Sequence, residues 1–91
     1  MTPCTVAVLG AAKGYIDSCG PDIKKQFRIA ISRLAQGKDG DTHAFTGELD
    51  GFYRLRVGSH RIIYRYCSGR VIECVYAGPR ATVYDAFIPP G

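Results

Sequence analysis

The chain has 91 residues, 46% hydrophobic and 22% charged, with a formal net charge of +4. That is enough for one core and too little for a separate cofactor domain, and neither disorder nor a membrane span fits the composition. No apolar run approaches the roughly 20 residues that a spanning helix needs, and the N-terminus lacks the sections of a signal peptide; one domain over residues 1–91, resident in the cytoplasm, is expected.

Thr5 to Leu9 is short and β-rich and ends at Gly10, so it reads as a first strand. Ala12, Tyr15, Ile16 and Cys19 follow at helical spacing, and Gly20-Pro21 stops this short helix. Between Asp22 and Gln36 the apolar positions Ile23, Phe27, Ala30, Ile31 and Leu34 form one stripe. Lys24, Lys25, Arg28 and Arg33 fall outside it, which predicts an amphipathic helix capped by Gly37. Lys38 to Gly47 has no periodicity and reads as a loop. Three strands are predicted next, over Phe52–Val57, His60–Cys67 and Val71–Ala77. The order β-α-α-β-β-β implies an α+β fold: a mainly antiparallel sheet with both helices on one face and the other face open.

Register decides which side chains meet, because strand residues alternate between faces. A two-residue Gly58-Ser59 loop suits a type II′ turn, with Gly in its first central position. It sets Arg56 opposite Arg61, Leu55 opposite Ile62, and Tyr53 opposite Tyr64. A three-residue loop, Ser68-Gly69-Arg70, then levels Tyr66, Tyr64 and Ile62 with Ile72, Cys74 and Tyr76. Arg65 meets Glu73 and Arg61 meets Ala77. The chain leaves the sheet at Gly78-Pro79, putting Arg80 at the same end as Arg56 and Arg61.

Arg54, Arg56, Arg61 and Arg80 are thereby expected around one end of the open face. Between Arg54 and Arg80 there are six Arg and one acid, Glu73. Like charges across a strand pair oppose folding. The guanidinium's planar fork matches phosphate, so a phosphate-bearing ligand is the natural counterpart. Tyr84, four residues past Arg80, can add a phenol to the same end. His60 points by parity toward the helices and has a structural role; His43 is solvated in the loop. Glu48 and Asp50, just before the second strand, are either a base or turn residues. The four cysteines, Cys4, Cys19, Cys67 and Cys74, form no CxxC pair and are expected to be reduced. Cys67 and Cys74 fall on different faces, against a disulfide between them. No metal-ligand spacing, phosphate loop or nucleophile elbow is present.

The run Gly51–Tyr66 (GFYRLRVGSHRIIYRY), followed by Ala77-Gly-Pro-Arg80 and Val83-Tyr84, resembles the signature of the RelE/ParE toxin superfamily over nearly the whole chain. Likeness to RelE-type members implies the toxin of a type II toxin–antitoxin pair, an endoribonuclease that cleaves mRNA in the ribosomal A site. The implied catalytic set is Arg54, Arg56, Arg61, Arg80 and Tyr84. The implied reaction is attack of the ribose 2′-oxygen on the adjacent phosphate, leaving a cyclic phosphate and a 5′-hydroxyl. The implied partners are a cognate antitoxin, covering the arginines or displacing residues after Arg80, and the ribosome with its mRNA. No metal, membrane or small-molecule cofactor is expected.

Some RelE-type enzymes carry lysines where this chain has Arg54 and Arg56, and a guanidinium is a poor base near neutral pH. The proton acceptor therefore falls to Tyr84 or Glu48, unless catalysis leans on positioning. Two other readings of the same scaffold compete: a ParE-like gyrase inhibitor, and an inactive member that only binds an antitoxin or RNA.

Overall fold

The computed structural model describes residues 4–37, 42–47, 50–81 and 83. Its elements are β1 (Thr5–Val8), α1 (Gly10–Ser18), α2 (Pro21–Ala35), β2 (Thr42–Ala44), β3 (Tyr53–Val57), β4 (His60–Cys67) and β5 (Val71–Pro79). They build one five-stranded sheet in the order β1-β5-β4-β3-β2. Only β1 runs parallel to its neighbour, β5; the other three pairs are antiparallel.

The helices form as their spacing predicts. In α2, Phe27 and Leu34 are buried, and Ile23, Ala30 and Ile31 pack against the same core. Pro21 opens the helix at a position where its missing N–H costs nothing. Gly37 ends it in a left-handed conformation, φ 72°, with its N–H donating to the Leu34 carbonyl. In α1, Ala12 is fully buried and Tyr15, Ile16 and Cys19 flank it. The helical core is completed from the sheet by Leu55, Val57, Ile62, Tyr64, Ile72, Cys74 and Ala77. Each large apolar side chain removed from water this way stabilises the fold by about 1.5–3 kcal/mol before entropy is counted.

The first hairpin has the expected register: Arg56 faces Arg61, Leu55 faces Ile62 and Tyr53 faces Tyr64. Gly58 has φ 59°, while Ser59 is not among the positive-φ residues. A type II′ turn asks for that combination, whereas type I′ would need both central residues left-handed. His60 points toward the helices, as parity predicts. Its Nδ1 lies 2.7 Å from the Tyr15 hydroxyl, and its ring packs 5.5 Å from that of Phe27.

Three expectations need correction. The segment read as a loop contains β2, a three-residue edge strand paired with β3, so the sheet has one strand more than the sequence pattern suggests. A strand so short offers too few alternations for periodicity to register.

The second hairpin starts as expected, with Cys67 opposite Val71, Arg65 opposite Glu73 and Tyr64 opposite Cys74. It then slips by one residue at Ile63/Tyr64. Val75 is the extra residue of this bulge, so Ile62 meets Ala77 rather than Tyr76, and Arg61 meets Gly78 rather than Ala77.

Finally, the face away from the helices is not bare. A second apolar cluster of Phe52, Ile63 and Val83, with Phe45, Val75 and Tyr76 packed against it, covers part of that surface.

The second cluster gives Ile63 a role that an open face would not. Ile63 is fully buried, so Ile63→Ala should destabilise the protein by about 2–4 kcal/mol in urea denaturation, the range for emptying such a site. A near-neutral Ile63→Ala would show that the cluster does not exist in solution.

Candidate functional site

The candidate site lies around the Gly58–Ser59 turn, at one end of the sheet face away from the helices. Arg56 and Arg61 are directly opposed there on β3 and β4, with Cα atoms about 4.5–5.5 Å apart for such a pair. Arg80 joins them through its backbone: its N–H donates to the Ser59 carbonyl at 2.9 Å. Arg54 stands one pleat further along β3, about 7 Å from Arg56 at ordinary strand rise. Three of the four expected arginines therefore gather at the turn and the fourth borders them. Tyr84 and Glu48 lie outside the described residues. Asp50 is exposed, its N–H donating to the Gly47 carbonyl.

The arginines are not equivalent. Arg56 and Arg80 are exposed and Arg54 is half-buried, but Arg61 is only 6% exposed. Its Nη1 donates to the carbonyl oxygens of Gly58 at 2.9 Å and of His60 at 2.8 Å. A charged donor on two carbonyls of a tight turn fixes both guanidinium and turn.

Arg61 sits opposite Gly78, and a Cβ on Gly78 would come within 3.4 Å of the Val83 side chain. Val83 packs over this part of the strand, at ordinary van der Waals distance from that position. Arg61 is thus a buried brace of the turn as well as a charge beneath the cluster, contrary to the expectation that all four arginines stand in solvent.

At the other end of the same face Arg65 and Glu73 form an ion pair. Nε of Arg65 donates to Oε1 of Glu73 at 2.8 Å, and Nη2 approaches the same oxygen at 2.8 Å. The guanidinium also lies 5.9 Å from the centre of the Phe52 ring, within cation–π range. The hydrogen bond from Arg65 holds the Glu73 carboxyl below its ordinary range, helped by the neighbouring Cys67 thiol. Glu73 is the one acid between Arg54 and Arg80. It is engaged four residues along β4 from Arg61, about 13 Å away at ordinary strand rise, so its charge does not sit at the turn.

The sequence pattern missed what β2 contributes. His43 is directly opposite Arg54, exposed, and on the same face as the arginines. His43, Ala44, Phe45, Thr46 and Arg54 line a hollow of about 360 Å³. The only available signal was the weak alternation of Thr42-His43-Ala44-Phe45.

All four cysteines are free, and burial pushes the Cys74 thiol up to about 11. Among the described residues no group of three or more His, Cys, Asp or Glu side chains is placed to hold a metal ion. No helix among them is long and apolar enough to cross a membrane.

No family model and no curated protein matches the sequence. Solved structures do match the fold. A chain of the toxin–antitoxin complex RelBE2 from Mycobacterium tuberculosis superposes with a TM-score of 0.72 at 21% identity, covering 86% of this chain and 99% of that one. A chain of the archaeal RelE–RelB complex from Pyrococcus horikoshii gives 0.68 at 25% identity, covering 88% and 97%. A chain of the YoeB–YefM complex from Staphylococcus aureus gives 0.67 at 15% identity, covering 81% and 93%.

The Arg65–Glu73 pair makes stability depend on pH in a defined direction. A carboxyl held low in the folded state adds stability that is complete above its ordinary range, near pH 4, and is lost as pH falls through the folded value. Glu73→Gln should therefore melt below the wild type at neutral pH, with the gap closing as pH drops below about 4. A gap that stays constant with pH in thermal melts would rule the pair out as its source.

Proposed function

From a chain that has the fold of the RelE/ParE toxin superfamily, we propose a toxin of a toxin–antitoxin pair, acting as an endoribonuclease on mRNA in the ribosomal A site. The observation that carries this reading is the convergence of Arg56, Arg61 and Arg80 on the Gly58–Ser59 turn, with Arg54 one pleat away. The exposed arginines of β3 and of the segment after β5 offer guanidinium donors to a phosphodiester, and with Arg61 beneath them oppose the charge that builds on its oxygens as a fifth bond forms at phosphorus.

The reaction is attack of the ribose 2′-oxygen on the adjacent phosphate, giving a cyclic phosphate and a 5′-hydroxyl. It needs no cofactor, only positioning, charge stabilisation and proton transfer. Arg61, held by the Gly58 and His60 carbonyls, fixes the turn that carries Arg56 and supplies positive charge from beneath. Arg56 and Arg80 are exposed and supply the contacts to RNA. Tyr84 is proposed to complete the set, as the resemblance implies. The work place of such an enzyme is the cytoplasm, on translating ribosomes. Its natural restraint is a cognate antitoxin that covers the arginines, as an acidic partner segment would do most effectively. The solved complexes with RelB and YefM support a partner of that kind.

Arg56→Ala and Arg80→Ala test the reading better than any change at Arg61, whose loss would also loosen the turn. Each substitution should slow cleavage of A-site mRNA on programmed ribosomes by about tenfold or more, from the roughly 1.5–3 kcal/mol of a charged hydrogen bond, with thermal melting unchanged. A folded double variant that cuts at the wild-type rate refutes the assignment. Double-strand breaks at gyrase sites without a cut mRNA would transfer it to a ParE-like inhibitor.

A further inference from the structure

Among the described residues at the turn, the arginines bring charge and donors but accept no proton near neutral pH, since a guanidinium does not give one up in proteins. Imidazole is the side chain whose ordinary chemistry does so between about pH 5 and 8. The chain has two histidines, and the sheet puts them on opposite faces. His60 is turned toward the helices, bound to the Tyr15 hydroxyl and packed on Phe27. His43 is exposed on the arginine face.

The placement of His43 follows from register. Thr42 pairs with Leu55 and Ala44 with Tyr53, both partners belonging to the helical core, so His43 between them projects to the other side with Arg54. Phe45, two residues on, packs into the second apolar cluster, as the same alternation requires. The hollow that His43 shares with Arg54, Phe45 and Thr46, about 360 Å³, is near the lower end of the roughly 300–1,000 Å³ typical of ligand sites. It lies one pleat from Arg56, so a phosphate held between Arg54 and Arg56 would have its ribose within reach of the imidazole.

We propose that His43 is the proton acceptor of the RNA-cleaving reaction, an inference that rests on the ribonuclease reading above. Its neutral imidazole takes the 2′-hydroxyl proton as that oxygen bonds to phosphorus. The P–O5′ bond breaks with its electron pair going to O5′, which takes a proton from water; the imidazolium returns its proton to the hydroxide so formed. Arg54, opposite, holds a non-bridging oxygen and keeps the 2′-hydroxyl beside the ring. The substrate class is thus single-stranded RNA, and DNA, lacking the 2′-hydroxyl, binds the same arginines uncut.

The test is single-turnover cleavage of mRNA on programmed ribosomes by the full chain, followed across about pH 5 to 8. His43→Gln keeps a polar side chain of similar reach without the basicity. It should slow cleavage about 100-fold or more, the usual share of a general base. It should also abolish the fall in wild-type rate toward acid pH. His43→Ala should recover part of the rate with added imidazole. Melting of both variants should match the wild type, since His43 is exposed on an edge strand. Wild-type cleavage together with an undiminished His43→Gln rate overturns the assignment and leaves the ribonuclease reading intact. A slowed His43→Gln that keeps the wild-type pH profile, with no imidazole rescue of His43→Ala, also overturns it. A wild type that does not cut removes both readings.

Discussion

The register of β3 against β4 decides everything that follows on the sheet. With Val57 opposite His60 across a two-residue turn, Leu55, Val57, Ile62 and Tyr64 enter the core beneath the helices, and Arg54, Arg56 and Arg61 face away. A slip of β3 by one residue would exchange its two sets, burying Arg54 and Arg56 under α2 and exposing Leu55 and Val57. Burial on one face thus enforces the charge pattern on the other, so the cluster cannot relax by sliding. Gly58, at φ 59°, permits the tight turn, and Arg61 locks it through two carbonyls.

The bulge at Val75 complements this. Without it, continued alternation past Cys74 would send Tyr76 into the helical core and Ala77 outward. With one residue added, Val75 and Tyr76 both pack on the second cluster, and Ala77 returns to the core. The same shift sets Gly78 opposite Arg61, with the Val83 side chain packed over it. The face that carries the arginines is therefore divided. An arginine-bearing end surrounds the turn, while an apolar centre is built on Ile63, and the Arg65–Glu73 pair closes the far end. The apolar centre brings a few kcal/mol of burial close to charges that repel one another, which helps a small sheet tolerate them.

The sequence by itself determined the helices, the three long strands, the first hairpin and the end of the molecule where Arg56, Arg61 and Arg80 meet. Each rests on a local rule: an apolar stripe at helical spacing, alternation along a strand, or a glycine where a turn requires it. Tertiary structure alone decided β2, because three residues carry no usable period until β3 offers them a partner. It decided the bulge, which lets Val75 and Tyr76 pack against Ile63, Phe52 and Val83, residues far apart in the chain and united only in the fold. It also decided that Arg61 is buried while Arg56 is exposed, and that His43 stands across from Arg54. Exposure and cross-strand company are properties of the packed sheet, which the alternation of a single strand does not contain.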